Sequence, residues 1–254
     1  MRAFLLLALV LMASRHASHA QDKPQDKLLT AHHFQSEERG FSLGYLAYMP
    51  KNYETNSGQE WPLLLFLHGA GERGADVWRA DFHGPSKYIL DHPDFPFILL
   101  SPICPSNETW SSDQLFALLA HAQKSWRVDR HRIYLTGISM GGYGTWSMAL
   151  ARPEKFAAVI PICGGAEMLP VILAKLNYAP AEKVQALKTL PIWAFHGAKD
   201  PAVPLEESER VVRSLKELGA AEVKLTVYPE ARHDCWTQTY SNPEIYSWLL
   251  QHRR

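Results

Sequence analysis

Short apolar runs alternate with amphipathic stretches along most of this sequence, and this alternation restricts the possible folds more than any other feature. Continuous apolar runs such as 62–67 are typical of strands buried on both faces, and the alternating residues 41–49 predict an antiparallel strand before them. Further strands are predicted at 95–103, 132–137, 156–163, 191–196 and 223–228, and helices at 114–126, 140–151, 206–218 and 245–252. Strands separated by helices form βαβ units, so we expect an α/β fold whose mostly parallel sheet has helices on both faces.

Length and charge exclude several classes of protein. The 254 residues suffice for one large α/β domain with a buried core. The 26 Lys and Arg residues balance the 26 Asp and Glu residues, so no basic excess indicates nucleic acid or anionic lipid as a partner. Because no HExxH, CxxC or EF-hand pattern occurs, the sequence implies no metal. The sequence leaves the oligomeric state open.

The N-terminus has the pattern of a signal peptide. Arg2 precedes an apolar run over 3–13, and Ser18-His19-Ala20 offers small residues at the two positions that a signal peptidase reads. We expect cleavage after Ala20, so that residues 1–20 are removed and residues 21–254 form a single domain. The run is too short to span a membrane, and a buried N-terminal helix is the alternative. The expected location is secreted or periplasmic, without stable membrane insertion.

Three cysteines, Cys104, Cys163 and Cys235, lie near predicted strand ends. In an exported protein an odd number allows at most one disulfide and leaves a free thiol. The sequence does not select the pair. Simple packing or a single disulfide is expected in preference to a nucleophilic role.

The strongest chemical signal is the stretch LTGISMGGYG at 135–144, which contains G-x-S-x-G with Ser139 at its centre. A strand is predicted before it and a helix after it, which is the context in which a tight turn exposes a serine hydroxyl at the top of the sheet. Gly137 and Gly141 flank the serine because side chains there would collide with neighbouring backbone. The alternative is a glycine-rich turn without chemistry.

A serine hydroxyl is a poor nucleophile until a base takes its proton, and that base needs an acid to orient it. In the α/β-hydrolase fold the three residues follow the chain order Ser, acid, His. Asp200 and His233 each follow a predicted buried strand, in that order, and complete the predicted triad. His68 and His196 each precede a glycine at a strand end, so we interpret them as organisers of their loops. Asp234 adjoins the predicted base, but adjacent side chains diverge.

An oxyanion hole needs two backbone N–H donors that face the carbonyl oxygen of the substrate. We predict the amide of Met140, directly after the serine, and the amide of Ala70, with Gly71 as the alternative. Ala70 lies in the loop HGAGERG at 68–74, whose small residues allow the backbone to approach a substrate. The same loop matches the dinucleotide-binding pattern G-x-G-x-x-G, but residues 75–83 do not continue as an amphipathic helix, which disfavours that interpretation.

Two loop tryptophans and one long connection lie near the predicted site. Trp110 and Trp236 are predicted to wall a pocket for an acyl or aromatic group, with ordinary packing as the alternative. Residues 164–188, between two predicted strands, form either a small cap over the site or a helical connection.

Three stretches together resemble a known group of secreted esterases. They are HGAGERG at 68–74, LTGISMGGYGTW at 135–146 and WAFHGAKDPAVP at 193–204, and the resemblance covers about residues 40–250. The group includes predicted peptidases, phospholipase/carboxylesterase-like proteins and dienelactone-hydrolase-like proteins, and is related to feruloyl esterases and polyhydroxybutyrate depolymerases. The resemblance implies the α/β-hydrolase fold, hydrolysis of carboxylic esters without a cofactor, and triad roles for the three residues named above. It does not fix the ester.

The sequence therefore predicts a serine esterase that works through an acyl-enzyme intermediate, with a small-molecule or polysaccharide-linked ester as its substrate. One alternative is a serine peptidase of the prolyl-oligopeptidase type, although this chain has no room for the propeller domain of those enzymes. The other is a non-catalytic binding protein on a hydrolase fold. Such a protein is expected to lack a triad residue, and none is missing here.

Overall fold

An eight-stranded sheet forms the centre of the structure, a computed structural model that describes residues 28–254. Its strands are β1 (Thr30–Ser36), β2 (Phe41–Tyr48), β3 (Trp61–Leu67), β4 (Ile98–Pro102), β5 (Val128–Ile138), β6 (Ala158–Ile162), β7 (Ile192–Gly197) and β8 (Val223–Tyr228). The helices are α1 (Pro85–Asp91), α2 (Ser112–Ser125), α3 (Met140–Ala151), α4 (Leu169–Lys175), α5 (Ala181–Thr189), α6 (Leu205–Leu218), α7 (Trp236–Ser241) and α8 (Pro243–Leu250). Short 3-10 helices occur at Ala70–Glu72, Val77–Asp81 and Pro153–Lys155.

The strand order is β1-β2-β4-β3-β5-β6-β7-β8. The β1–β2 and β2–β4 pairs are antiparallel, and the other neighbours are parallel. This order, with helices between the strands, confirms the predicted α/β-hydrolase fold. Because the strands from β3 to β8 run in parallel, their carboxyl ends meet at one edge of the sheet, where ligands bind in such folds.

The alternation of side chains along β3 divides the core into two layers. Leu63, Leu65 and Leu67 point to one face, where α2, α3 and α6 cover the sheet. Leu64 and Phe66 point to the other face, where α8 packs. All five side chains are completely buried, as expected for the continuous apolar run that the sequence shows here.

The structure also contains elements that the sequence pattern does not predict. β1 pairs with β2 from Thr30 opposite Ala47 to Ser36 opposite Phe41. It is an edge strand whose residues are mostly exposed, so it has no apolar face from which a period of two can be recognised. The connection 164–188 contains α4 and most of α5, which makes it a helical connection, and the start of α4 borders a cavity described below.

The predicted signal peptide, residues 1–20, lies outside the described residues. Within residues 28–254, no helix combines the length and the apolar character that a membrane crossing requires.

Candidate active site

Ser139 lies in the turn between β5 and α3, with φ 53° and ψ −118°. An L residue rarely adopts such a backbone conformation, so the surrounding structure must hold it there. A Cβ atom on Gly141 would lie 1.9 Å from the carbonyl oxygen of Leu67, and one on Gly137 would lie 2.4 Å from that of Gly141. The turn is therefore packed so closely on the end of β3 that both flanking positions require glycine.

The structure brings the three predicted triad residues into one hydrogen-bonded chain. Oγ of Ser139 lies 2.9 Å from Nε2 of His233, and Nδ1 of the same imidazole lies 2.7 Å from Oδ2 of Asp200. Asp200 follows β7 and His233 follows β8, at the edge where the parallel strands end. Asp234 is exposed, and the acid bonded to the imidazole is Asp200. This is the geometry of a nucleophile, its base and an orienting acid.

The carboxylate of Asp200 is fully enclosed and strongly hydrogen-bonded. Its side chain has no exposed surface, and the amides of Ala202 and Val203 donate to Oδ1 at 2.8 and 2.9 Å. Burial alone would raise the pKa of Asp200, but the hydrogen bonds from His233 and the two amides outweigh it and hold the pKa below its ordinary value. An ionised carboxylate favours the tautomer of His233 with its proton on Nδ1, in which Nε2 accepts a hydrogen bond from Oγ of Ser139.

Two other histidines hold the loops around the site. The amide of Cys104 donates to Nε2 of His68 at 2.9 Å, and the indole of Trp110 donates to the carbonyl oxygen of His68 at 3.0 Å. Burial lowers the pKa of His68 to about 4. His196 is completely buried, with Nε2 2.9 Å from the carbonyl oxygen of Val203. These contacts agree with the interpretation of both side chains as loop organisers.

The two amides predicted for the oxyanion hole lie in segments that adjoin the serine. Met140 is the first residue of α3, and amides of the first turn have no partner within their helix. Ala70 is exposed and begins a 3-10 helix in the loop after β3. Gly69 of this loop lies next to Ser139, since a Cβ atom on Gly69 would be in ordinary contact with Cβ of Ser139 at 3.6 Å. Small residues thus allow the loop backbone to approach the reacting centre.

Trp110 lies beside a cavity of about 650 Å³ that opens next to Met140. Apolar side chains from α3 and from the start of α4 form much of its wall, among them Tyr143, Leu150, Leu169 and Pro170. The Trp110 ring also packs edge-on against the imidazole of His68 at 4.7 Å. Trp110 therefore has two contacts, one with the cavity and one with the loop after β3.

Trp236 lies on the other side of the predicted base. Its ring centroid is 5.3 Å from that of His233, with the two planes at 87°, and 5.5 Å from that of His83. The same indole borders a smaller cavity of about 290 Å³ between α1 and α7. The two predicted substrate-binding tryptophans thus lie next to different cavities.

All three cysteines are buried free thiols. The Ser139 amide lies 3.3 Å from Sγ of Cys163, which also lies within 4.8 Å of ligand atoms of Asp200 and His233. Burial, together with the neighbouring thiol of Cys235, raises the pKa of Cys163 far above its ordinary value. The carboxylate of Asp200 and the imidazole of His233 are already bonded to each other, and the buried Cys163 thiol accepts from the Ser139 amide next to them.

The sequence profile of the phospholipase/carboxylesterase family matches residues 106–243, which is more than half of the chain. The chain belongs to this family. The matched segment contains the three residues of the hydrogen-bonded chain, Ser139, Asp200 and His233, and ends at the first residue of α8.

Relatives in this family and beyond include several esterases. A bifunctional acetylxylan esterase/xylanase from Neocallimastix patriciarum is 25% identical over 222 residues, which are 83% of this chain and 29% of that protein. A thermostable esterase structure is 34% identical with a TM-score of 0.71, and the match covers 90% of this chain and 64% of that one. A ferulic acid esterase structure, 18% identical over 88% of this chain and 97% of its own, has a TM-score of 0.69 and shares the fold. This chain spans about half or less of the length of the curated relatives that it matches.

Several residues around the site are not predicted from the sequence. Tyr143 lies one helical turn after the serine, a spacing that would have placed it beside the site. Leu169, Glu72 and His83 reach the site only through the packing of loops and of α4, which no local pattern encodes. Cys163 lies near a predicted strand end, but only the structure shows its contact with the Ser139 amide.

Proposed function

We propose that this chain is a serine esterase that hydrolyses carboxylic esters through an acyl-enzyme intermediate. The observation that carries the proposal is the hydrogen-bonded chain from Ser139 through His233 to Asp200, at 2.9 and 2.7 Å. Membership of the phospholipase/carboxylesterase family supports the same reaction type. The position at the carboxyl edge of a parallel sheet supports it further.

In the proposed reaction, Oγ of Ser139 attacks the ester carbonyl carbon while Nε2 of His233 accepts the hydroxyl proton. The oxygen of the tetrahedral intermediate accepts hydrogen bonds from the Ala70 and Met140 amides. The alcohol then leaves with a proton from His233, and water releases the acid by the reverse route. Throughout, Asp200 fixes the tautomer of the imidazole and stabilises its cationic form.

The two cavities suggest where the parts of the ester bind. The 650 Å³ cavity adjoins Met140 and is mostly apolar, so we propose that it takes the acyl group. The alcohol must depart beside His233, because that side chain gives it a proton, and this places the alcohol on the Trp236 side. The names of two relatives, an acetylxylan esterase and a ferulic acid esterase, support a small or polysaccharide-linked ester as the substrate.

We further propose that residues 1–20 form a signal peptide and that the mature protein is secreted or periplasmic. The charged residue, apolar run and small residues of the N-terminus support this proposal. N-terminal sequencing of the exported protein should give Gln21 as the first residue, and export with an intact N-terminus would contradict it.

Labelling with a serine-reactive fluorophosphonate, followed by a panel of p-nitrophenyl esters from acetate to palmitate, tests the proposed reaction. We expect label on Ser139, turnover of at least one ester, and loss of both in Ser139→Ala with folding intact. The matched control is Ser247→Ala, which should keep both label and turnover, because Ser247 is an exposed serine on α8 that borders neither of the two cavities. Retained turnover in Ser139→Ala would overturn the assignment, and faster turnover of peptide amides than of esters would favour the peptidase.

A further inference from the structure

A closed ring of contacts surrounds the nucleophile on the side of the predicted base. Gly69 adjoins Ser139, and a Cβ atom on Gly69 would lie 3.1 Å from Oε2 of Glu72. Oε1 of Glu72 lies 3.7 Å from Nε2 of His83, and the His83 ring contacts the Trp236 ring at 5.5 Å. Trp236 in turn contacts His233, which returns the ring to the serine. Three of these side chains, Glu72, His83 and Trp236, have no role in the mechanism described above.

Glu72 is the unusual member of this ring. The residue is only 8% exposed, yet the structure, over the residues that it describes, gives its carboxylate no hydrogen-bond donor. The two nearest imidazole nitrogens, on His83 and His68, lie 3.7 and 3.9 Å away, beyond hydrogen-bond distance. A largely buried carboxylate whose nearest donors lie beyond hydrogen-bond distance is only partly satisfied, and 11% of the Glu72 side chain remains exposed. A ligand that reaches the exposed part of this carboxylate would supply the hydrogen-bond donors that the two imidazoles do not.

The carboxylate, imidazole and indole of the ring indicate which kind of ligand would supply these hydrogen-bond donors. In the proposed reaction the alcohol leaves beside His233, and the contacts of the ring lead from His233 to Trp236, then to His83 and Glu72. A plain alkyl alcohol would cover the carboxylate without giving it a donor. A polyhydroxylated alcohol would donate hydroxyls to Glu72 and to the imidazole of His83, while its C–H face packs on the indole.

We propose that Glu72, His83 and Trp236 form a subsite that recognises the hydroxyls of the alcohol part of the ester, so that the preferred alcohol is a sugar. This inference rests on the proposed esterase function and specifies the alcohol side of that same site. A site built to bond a hydroxyl discriminates strongly against the analogue that lacks it, because its own polar groups are then left unpaired. We therefore expect kcat/KM to differ between a sugar ester and an alkyl ester that carry the same acyl group.

The test compares 6-O-acetylglucose with ethyl acetate, two acetates of primary alcohols that differ in their hydroxyls. We expect the wild-type kcat/KM to be higher for the sugar ester. Glu72→Gln should lower kcat/KM for the sugar ester by roughly tenfold or more, mainly through KM, and leave that for ethyl acetate within about twofold. His83→Ala, at a side chain that is 41% exposed, provides a second variant if the first does not fold. Glu108→Gln, at an exposed carboxylate on a neighbouring loop, is the matched control and should leave kcat/KM unchanged for both substrates.

The possible failures are distinguishable. Equal losses for both acetates in Glu72→Gln and His83→Ala would mean that these residues only support the loop, and would overturn the subsite. A wild-type enzyme that shows no preference for the sugar ester would overturn it as well. No turnover of either acetate or of any p-nitrophenyl ester would instead overturn the esterase proposal, and the subsite with it.

Discussion

At the scale of single residues, two neighbouring aspartates are candidates for the acid of the proposed triad. Asp200 lies close to His233 in the fold, and Asp234 is adjacent to it in the sequence. Only Asp200 bonds to Nδ1 of His233. Its second oxygen accepts from the amides of Ala202 and Val203, which fixes the carboxylate in place. The orientation of the base therefore depends on a carboxylate that is itself held by backbone.

We predict that Asp200→Asn lowers kcat by about 10³–10⁴-fold and leaves the fold intact. Asn keeps an oxygen for the two amides but no longer secures the tautomer of His233 that accepts the serine proton. Steady-state kinetics with the fastest ester of the panel, and far-ultraviolet circular dichroism as a check on folding, measure the effect. Asp234→Asn is the matched control and should retain activity; the opposite pattern, with Asp234→Asn inactive, would reassign the acid.

At this scale, site residues can be recognised from the sequence only where they lie in a local motif. Ser139, Asp200 and His233 each follow a predicted strand, so the order and position of the three could be derived from the sequence. Glu72 could not be distinguished from any loop glutamate, because its burial depends on His68 and His83 packing around it. Pairings between loops that are distant along the chain need the structure.

At the scale of elements, the ends of β3 and β4 are joined by a single buried imidazole. His68 directly follows β3, and Nε2 accepts from the amide of Cys104, two residues after the end of β4. The indole of Trp110 closes the same group by donating to the carbonyl oxygen of His68. This acceptor role requires a neutral ring, and burial lowers the pKa of His68 to about 4.

We predict that the free energy of unfolding falls as the pH decreases from 6.5 to 4. In this interval the unfolded chain binds a proton at His68 and the folded chain does not, so stability is fully present above 6.5 and is lost below it. A shift from 6.5 to about 4 corresponds to about 3 kcal/mol. The lowered pKa of Asp200 acts only below its ordinary value of 3.8, outside this interval, whereas burial also lowers the pKa of His32 and adds to the loss in the same direction.

Urea unfolding at several pH values between 7.5 and 4.5 measures this loss. His68→Asn should be less stable at pH 7.5, because a buried hydrogen bond is lost, but its stability should depend on pH with a shallower slope. His131→Asn, at an exposed histidine, should leave the slope as in the wild type. An identical slope in His68→Asn would show that His68 is not the titrating group.

Most elements could be predicted from the sequence because they are buried, and the exceptions are exposed or short. The bounds of α3 and β8 match the prediction, since both are defined by clear apolar patterns and breakers. The polar edge strand β1 and the short helix α1 have no such pattern. Their positions are fixed by pairing with β2 and by packing around the site, respectively, which are tertiary effects.

At the scale of the whole molecule, β5 connects the two layers of the core. Its residues alternate between them, with Leu135 in the layer of α2, α3 and α6 and Tyr134 in the layer of α8. The hydroxyl of Tyr134 donates to the carbonyl oxygen of His252, which ties the C-terminal segment to the central strand. If either layer loses its packing, β5 becomes exposed on that face.

We therefore predict that residues 21–254 unfold as a single cooperative unit, as expected for one domain. In differential scanning calorimetry the measured enthalpy should equal the van't Hoff enthalpy, with one transition. At ~0.7 kcal/mol per residue, residues 28–254 correspond to about 160 kcal/mol near 60 °C. Tyr134→Phe, which removes only the hydroxyl bond to His252, should lower the transition temperature without splitting it. Two transitions, or a calorimetric enthalpy well above the van't Hoff value, would mean that the two layers unfold separately, and the active site at the end of β5 would then lose its support in steps.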